Sequence, residues 1–410
     1  MLTRAALEQL DRDDPLAPFR GRFALPPGVV YLDGNSLGPL PRAAPGRIAE
    51  VLAREWGEGL IRSWNDAGWI DLAARVAEGI ARLVGAAPGS VAVADSTSVN
   101  LFKLLGAALT LRPGRRVVVS ERDNFPTDLY VAQGLAAFLG GEHAIRLAEP
   151  GGVMDAVGDD TAVVMLSHVN YRTGAMHDMA AVTRAVQDRG ALVLWDLAHS
   201  TGAVPVDLSA ADADFAVGCG YKFLNGGPGA PAFLYVAPRL HAGLRLPITG
   251  WLGHAAPFAF QAEYRPAPGI AQAVVGTPPI LSLAALEIGV GLALEAPLSD
   301  VRAKSLRQVA VLAALVEQAA PGAFCRVTPD DPARHGSQLC LSHPEAHAIM
   351  QASIDRGVIG DFRAPDILRF GITPLTLSYA ELWDAAAVLG AIMAEGAWRD
   401  PRFAVRRPVT

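Results

Sequence analysis

Lysine occurs at only three positions of this 410-residue chain, 103, 222 and 304, and the other 32 of its 35 basic residues are arginine. Chemistry that needs a primary amine therefore has three candidates. Lys103 in VNLFKLLGAAL and Lys304 in DVRAKSLRQV fall in helical patterns, where a solvated lysine is the expectation. Lys222 differs, because in GCGYKFLNGGPGAP it follows a short apolar strand pattern and precedes a glycine-rich turn. Asp196, 26 residues earlier in ALVLWDLAHS, stands at the carboxyl end of an apolar strand pattern, where α/β sheets bind their ligands. Taken alone, that aspartate reads as a turn or cap residue. Together the two supply what a pyridoxal cofactor demands: an amine for a Schiff base, and a carboxylate that keeps the pyridine nitrogen protonated so that the ring accepts electrons.

Such a cofactor also carries a phosphate. DSTSVNLFKLL places Thr97 and Ser98 where a strand gives way to a helix, and free N–H groups, the positive end of the helix dipole and two hydroxyls attract an anion there. An ordinary Ser/Thr N-cap accounts for the same residues equally. Tyr221, beside the lysine, offers a further donor and a candidate for relaying a proton. His199, three residues after Asp196, is a weaker signal, since a lone histidine is more often structural.

These residues need a layered scaffold to bring them together. From about residue 70, helical and strand patterns alternate through WIDLAARVAEGIARLV, SVAVAD, RRVVVSE, PTDLYVAQGLAAFLG, TAVVMLSH, MAAVTRAVQDRG, ALVLWDLA, DFAVGCG and PAFLYV. The strand runs are continuously apolar rather than alternating, as when helices cover both faces of a sheet, which predicts an α/β domain around a mostly parallel sheet. A Pro/Gly/aromatic stretch from roughly 245 to 280 is too long and irregular for an ordinary connection and reads as functional. SLAALEIGVGLALEA and DVRAKSLRQVAVLAALVEQAA then read as long helices, and SQLCLSH, EAHAIMQASIDRG, ILRFGI and SYAELWDAAAVLGAIMAEG as β, α, β, α. The expected partition is an N-terminal segment 1–60 contributing to the small domain and the site, a large cofactor-binding domain 61–280, and linking helices with a small C-terminal domain 281–410.

Composition narrows the function classes further. A net charge of -6, spread over both signs, gives no basic stripe and argues against nucleic acid. No stretch approaches about 20 apolar residues, and the opening MLTRAALEQLDRDDP has no signal or transit pattern, so a cytoplasmic protein without a membrane anchor is expected. Cys219, Cys325 and Cys340 are odd in number and irregular in spacing. They suggest neither a disulfide framework nor a metal site, and each is expected to be a small buried hydrophobe.

YLDGNSLGPLP, EWGEGLIRSW, TSVNLF, NFPTDLY, VMLSHVNYRTG, WDLAHSTGAVPVDL, GCGYKFLNGGPGAPAF, GWLGH, GTPPI and RFGITPL, in this order, resemble the kynureninase family nearly end to end. An aspartate, a histidine three residues on and a later lysine mark only the wider aminotransferase class V superfamily, whereas GNSLG, NFPTD, YKxLNGGPG and GWxGH are far more specific. The resemblance implies pyridoxal-phosphate fold type I, with a mostly parallel, seven-stranded sheet in the large domain and a smaller α+β C-terminal domain. It implies hydrolytic Cβ–Cγ cleavage of L-kynurenine to anthranilate and L-alanine in tryptophan and kynurenine metabolism, whether that pathway degrades tryptophan or leads to NAD. Leu252, where relatives have an aromatic, and Thr277, where some have asparagine, leave open a preference for the 3-hydroxy forms of substrate and product.

The resemblance also implies roles, residue by residue. Lys222 holds pyridoxal 5'-phosphate, Asp196 pairs with its ring nitrogen, and His199 lies on its oxygen side. Phe125 stacks on the ring, with Pro126, Thr127 and Asp128 in the same turn. Thr97, Ser98 and Tyr221 bind the phosphate, and Ser167, Trp251 and Thr277 make further cofactor contacts, the last two from the second subunit of a homodimer with shared sites. Arg369 clamps the substrate α-carboxylate, for which a guanidinium fork suits better than an ammonium. Asn35, Ser36 and Trp64 border the aromatic end of the substrate. The rival in the same fold is a cysteine desulfurase or selenocysteine lyase-like enzyme; the desulfurase needs a nucleophilic cysteine on a mobile loop. FCRV and SQLCLS read instead as apolar strands, and a reactive thiolate wants exposure and positive surroundings. A catalytically silent scaffold of this fold would lack the lysine or the aspartate, and both are present.

Overall fold

The computed structural model describes residues 1–406. Seven strands form the central sheet, in the order Val91–Val93, Phe233–Val236, Phe215–Gly218, Leu192–Asp196, Thr161–Ser167, Val117–Glu121 and Ala144–Ala148. Only Phe233–Val236 runs against its neighbours. The inner strands are buried from end to end, which is why their sequences are apolar without alternation. Successive side chains nonetheless point to opposite faces. Val193 and Trp195 join the core under the helices Trp69–Leu83 and Ile280–Glu295, while Leu192 and Leu194 join the one under Thr97–Leu111 and Pro126–Phe138. The edge strand Ala144–Ala148 is half exposed and carries Arg146, which bonds Asp160 at 2.7 Å. Its mixed composition hid it from the sequence reading.

A second core lies between a four-stranded sheet and helices. The strands Cys325–Arg326, Gln338–Ser342, Ile367–Gly371 and Asp361–Arg363 lie side by side, packed against Ala346–Asp355, Leu298–Ala319 and Tyr379–Glu395. Tyr379–Glu395 begins in a capping box in which Ser378 and Glu381 satisfy each other's backbone N–H groups. The N-terminus belongs to this core: Leu7 of the helix Arg4–Arg12 is buried in it, and Asp11 accepts hydrogen bonds from the N–H groups of Tyr379 and Ala380. Further on, Val30 pairs with Val358, and the N–H of Leu32 donates to Ile359 at 2.7 Å. The GNSLG turn then crosses to the large sheet, where Gly38 N–H donates to the Tyr221 carbonyl at 2.8 Å. A Cβ on Gly38 would meet the Lys222 carbonyl at 2.2 Å, so only glycine lets the two turns touch.

Three expectations are overturned. Lys103 and Lys304 are on helices, but neither is solvated. Lys103 is fully buried, ion-paired to Asp95 and bonded to the Ala273 carbonyl at 2.8 Å, and Lys304 pairs with Asp14 at 2.7 Å. Helical periodicity reports the helix and says nothing of an acid folding back onto it from a distant segment. Cys325 is exposed on its two-residue strand, whereas Cys219 and Cys340 are buried. The stretch from 245 to 280 is irregular as expected, holding only the short turns Trp251–Gly253, Pro257–Ala259 and Gly269–Ala273 before its helix begins at Ile280. Among the described residues, no single helix is long and apolar enough to cross a membrane.

Candidate active site

The strands Thr161–Ser167 and Leu192–Asp196 end in register, so Ser167 and Asp196 lie side by side at the carboxyl edge of the sheet. Asp196 is buried, with one oxygen accepting the Ala198 N–H at 2.9 Å and the other 3.5 Å from the Ser167 hydroxyl. Burial pushes its pKa up, and the ammonium of Lys222 opposes that shift. Asp128, in the first turn of Pro126–Phe138, is a second buried carboxyl, held well above the usual carboxylate range by burial and by Asp196. One of its oxygens is buried without a protein partner. Two buried carboxyls near one ammonium cannot both ionise cheaply, and Asp128 is the one that keeps its proton.

Asn124 organises this corner. Its carbonyl oxygen accepts from the Ser167 hydroxyl at 2.6 Å, the Ser167 N–H at 3.1 Å and the Phe125 N–H at 2.9 Å, while its amide donates to Ser120 at 3.1 Å. The Phe125 ring is 37% exposed and stands edge-on to Tyr171, with ring centroids 5.1 Å apart. Lys222 Nζ lies 6.0 Å from the ring centroids of both Phe125 and Tyr221. The turn after the lysine requires left-handed backbone at Asn225, Gly227 and Gly229, which accounts for NGGPG.

The alternative reading of Thr97 and Ser98 as caps is removed by the residue before them. Ser96 caps the helix Thr97–Leu111, its hydroxyl accepting from the Val99 N–H at 3.4 Å. Thr97 and Ser98 therefore keep their hydroxyls and first-turn N–H groups for the cavity that they line.

The small sheet and the N-terminal segment do not line this cavity themselves; Arg369 and Gln338 reach it through bonds to Tyr171 and His199, and Asn35 and Ser36 lie beside Arg369. Arg369 is 1% exposed and pairs through Nε and one terminal nitrogen with Asp361, its cross-strand neighbour. That terminal nitrogen also donates to the Ser36 hydroxyl at 2.7 Å, and the other donates to the Tyr171 carbonyl at 2.7 Å. Of five N–H groups, one remains. Ser36 donates to Asp361 at 2.9 Å, and Asn35 accepts from Arg369 Nε at 3.2 Å while donating to Asp33. Asp33 is pushed up to about 7 by burial and by Asp361, whose own carboxyl is held down by Arg369 against its burial.

One cavity thus brings together Thr97, Ser98, Phe125, Thr127, Asp128, Ser167, Asp196, His199, Tyr221 and Lys222. Pro126 starts the helix behind it. Trp64, Trp251 and Thr277 lie outside it: Trp64 packs edge-on against Trp69, Trp251 clusters with Phe258 and Phe260, and Thr277 is exposed. Four contributors escaped the sequence reading. Asn124 and Tyr171 lie inside quoted motifs, NFPTD and VNYRTG, and could have been taken from them. Gln338 and Asp361 carry no local signal, because strand pairing alone brings them to the site.

The residues fit pyridoxal phosphate. A buried carboxylate at the sheet edge suits a protonated ring nitrogen, an exposed aromatic suits a planar ring, the hydroxyls and N–H groups of Thr97 and Ser98 at a helix N-terminus suit a dianion, and an amine stands among them.

Residues 301–389 match the family described as the kynureninase C-terminal domain. Over the whole of both chains, the protein is 53% identical to a protein named kynureninase from Burkholderia pseudomallei (strain 1106a) and 51% identical to one from Pseudomonas fluorescens. Among solved structures it is similar to the apo cysteine desulfurase of Thermococcus onnurineus NA1, with a TM-score of 0.77, 16% identity, and 92% of this chain and 98% of that one covered. A C-DES mutant with glycine covalently linked to its PLP cofactor gives a TM-score of 0.77 at 18% identity over 90% of this chain and 98% of the other. At such identities these likenesses carry the fold alone, while end-to-end identity above half carries more, and by it the chain belongs to the kynureninase family.

Proposed function

We propose that the chain catalyses hydrolysis of the Cβ–Cγ bond of L-kynurenine, releasing anthranilate and L-alanine, with pyridoxal phosphate held covalently on Lys222. The observation that carries the reading is the meeting of Lys222 and Asp196 in one cavity with Thr97 and Ser98, whose hydroxyls are not spent on the cap that Ser96 supplies. Bound there, the cofactor supplies an electron sink for charge developing at the substrate carbons beside its amine.

The protein's own groups do the rest. Asp196 would hold the proton on the ring nitrogen, and Asp128, its pKa raised by burial first and by Asp196 second, favours its neutral form beside it. The hydroxyls and N–H groups of Thr97 and Ser98 receive the phosphate, and Phe125 covers one ring face with Tyr171 propping it edge-on. The Lys222 amine would take the α-proton at Nζ and return it. Tyr221 has its pKa raised mainly by burial, so its phenol stays protonated and serves as a donor to the phosphate and a proton source for Cβ, which keeps the electron pair of the broken bond and becomes the methyl of alanine, while Cγ takes the oxygen of water and leaves as the carboxyl of anthranilate. Arg369 meets the α-carboxylate. Because Asp361 already holds one side of its fork, Asp361 must yield or the contact is a single bond. Asn35 and Ser36 are tied to Arg369 and so serve this carboxylate end rather than the aromatic end.

The reading includes a cytoplasmic homodimer in which Trp251 and Thr277 complete the partner's site. Its support is the exposure of Trp251, Phe258 and Phe260 at 41%, 61% and 78% on the irregular 245–280 stretch, an apolar patch of the kind that marks an interface. Residues 61–280, with the helix Ile280–Glu295 packed on their core, then form the cofactor-binding unit, and the N-terminal segment shares the smaller core through Leu7 and Leu32 with the described residues after 297; residues 407–410 of the expected C-terminal portion lie outside the described residues. Borohydride reduction of the loaded protein followed by peptide mapping tests the assignment. The pyridoxyl group is expected on Lys222, and its recovery on Lys103 or Lys304 would refute the site.

A further inference from the structure

We propose that Gln338 is a positioning residue that fixes His199 as the tautomer protonated on Nδ1, leaving the lone pair of Nε2 for whatever the cavity binds. The inference rests on the cofactor site proposed above. Gln338 opens the strand Gln338–Ser342 of the small sheet, is 1% exposed, and reaches across to the large domain. The orientation of its amide is decided by its neighbours. The amide nitrogen lies 3.2 Å from the Tyr171 carbonyl oxygen and 3.3 Å from that of Asn170, two groups that can only accept. The amide oxygen must therefore face the other way, and it stands 3.2 Å from His199 Nδ1. A carboxamide oxygen cannot donate, so the proton of that bond belongs to the imidazole.

A second proton on the ring is refused. Burial lowers the pKa of His199 well below its ordinary value, and the cations Lys222, Arg369 and Arg363 lower it further. With Nδ1 committed to Gln338 and the ring lining the cavity, Nε2 is left as an acceptor, suited to a hydroxyl on the bound cofactor or to water. Gly174 makes room for this side chain, since a Cβ there would meet Gln338 Cγ at 2.9 Å. The same Tyr171 carbonyl accepts from Arg369 at 2.7 Å, so Gln338 links the carboxylate-binding end of the site to His199. Seating of the small domain thereby sets the tautomer of a large-domain residue.

The test is the two-bond proton–nitrogen correlation spectrum of the pyridoxal-phosphate-loaded protein labelled with 15N-histidine, in which His199 is the signal absent from His199→Gln. The expected spectrum shows protonated Nδ1 and bare Nε2, unchanged from about pH 6 to about pH 8. Gln338→Met should release the ring to a mixture of tautomers and lower kcat about tenfold, with KM for kynurenine changing less. Gln338→Glu, as the neutral acid, keeps an acceptor toward Nδ1 and a donor toward the Tyr171 carbonyl, and should restore the wild-type tautomer. A wild-type His199 protonated on Nε2 would overturn the proposal without any variant, and an unaltered tautomer in Gln338→Met would overturn the role of Gln338. Neither result depends on turnover, so a protein inactive on kynurenine but with the expected spectrum would refute the proposed function and leave this inference standing.

Discussion

Replacing Lys103 by methionine should cost the large domain about 2–3 kcal/mol, and replacing its partner Asp95 by alanine should cost more. The difference comes from burial. Lys103 is 0% exposed and Asp95 30%. In Lys103→Met the stranded carboxylate still reaches water, so the loss is chiefly one charge-assisted hydrogen bond to the Ala273 carbonyl, worth about 1.5–3 kcal/mol. In Asp95→Ala the ammonium is left buried with that carbonyl alone, a situation that costs about 3–5 kcal/mol. At about 2–4 °C per kcal/mol for a unit of this size, the melting temperature should fall by about 4–12 °C in the first variant and further in the second. The pair also ties the turn before Thr97 to the end of the 245–280 stretch, so both variants should bind pyridoxal phosphate more weakly, measured by titrating the apo protein and following its visible band. Calorimetry of apo protein supplies the stabilities. Melting of Lys103→Met within about 1 °C of wild type, or a larger loss in Lys103→Met than in Asp95→Ala, would refute the reasoning.

Asp33, pushed up to about 7, binds its proton more tightly in the folded than in the unfolded chain. Its contribution to stability is therefore complete below about pH 4 and is lost as the pH rises toward about 7. In urea titrations across that range, Asp33→Asn should lose less stability than wild type, and parallel curves would contradict the assignment. Arg369→Lys should raise KM for kynurenine at least about tenfold, because a point charge replaces neither the fork held by Asp361 nor its remaining donor; an unchanged KM would place the carboxylate elsewhere. Co-expressing Lys222→Ala with a disruptive Trp251 variant should return up to about a quarter of wild-type activity if sites are shared between subunits, whereas a silent mixture would mean that Trp251 serves its own chain.

The layered sheet was legible because continuous apolar runs leave few alternatives, and Lys222 stood out because its two competitors lay on helices. What escaped was set by pairing between distant segments. Nothing near Lys103 or Lys304 announces Asp95 and Asp14 as partners, and Gln338 and Asp361 reach the site only because Gln338 lies across from Gly371 and Asp361 across from Arg369. Thr97 and Ser98 were ambiguous between cap and anion site until Ser96 took the cap. Cys325 was misjudged for a simpler reason: a two-residue edge strand has too little pattern to show which face is wet.

The central claim is that the cavity around Lys222 and Asp196 cleaves kynurenine. The most direct measurement mixes the loaded protein with L-kynurenine and follows anthranilate fluorescence while alanine is quantified in the same samples, with Lys222→Ala alongside. The two products are expected in equal amounts from wild type and neither from the variant. Anthranilate from Lys222→Ala, or no anthranilate from wild type while L-cysteine yields sulfide and alanine, would contradict the account.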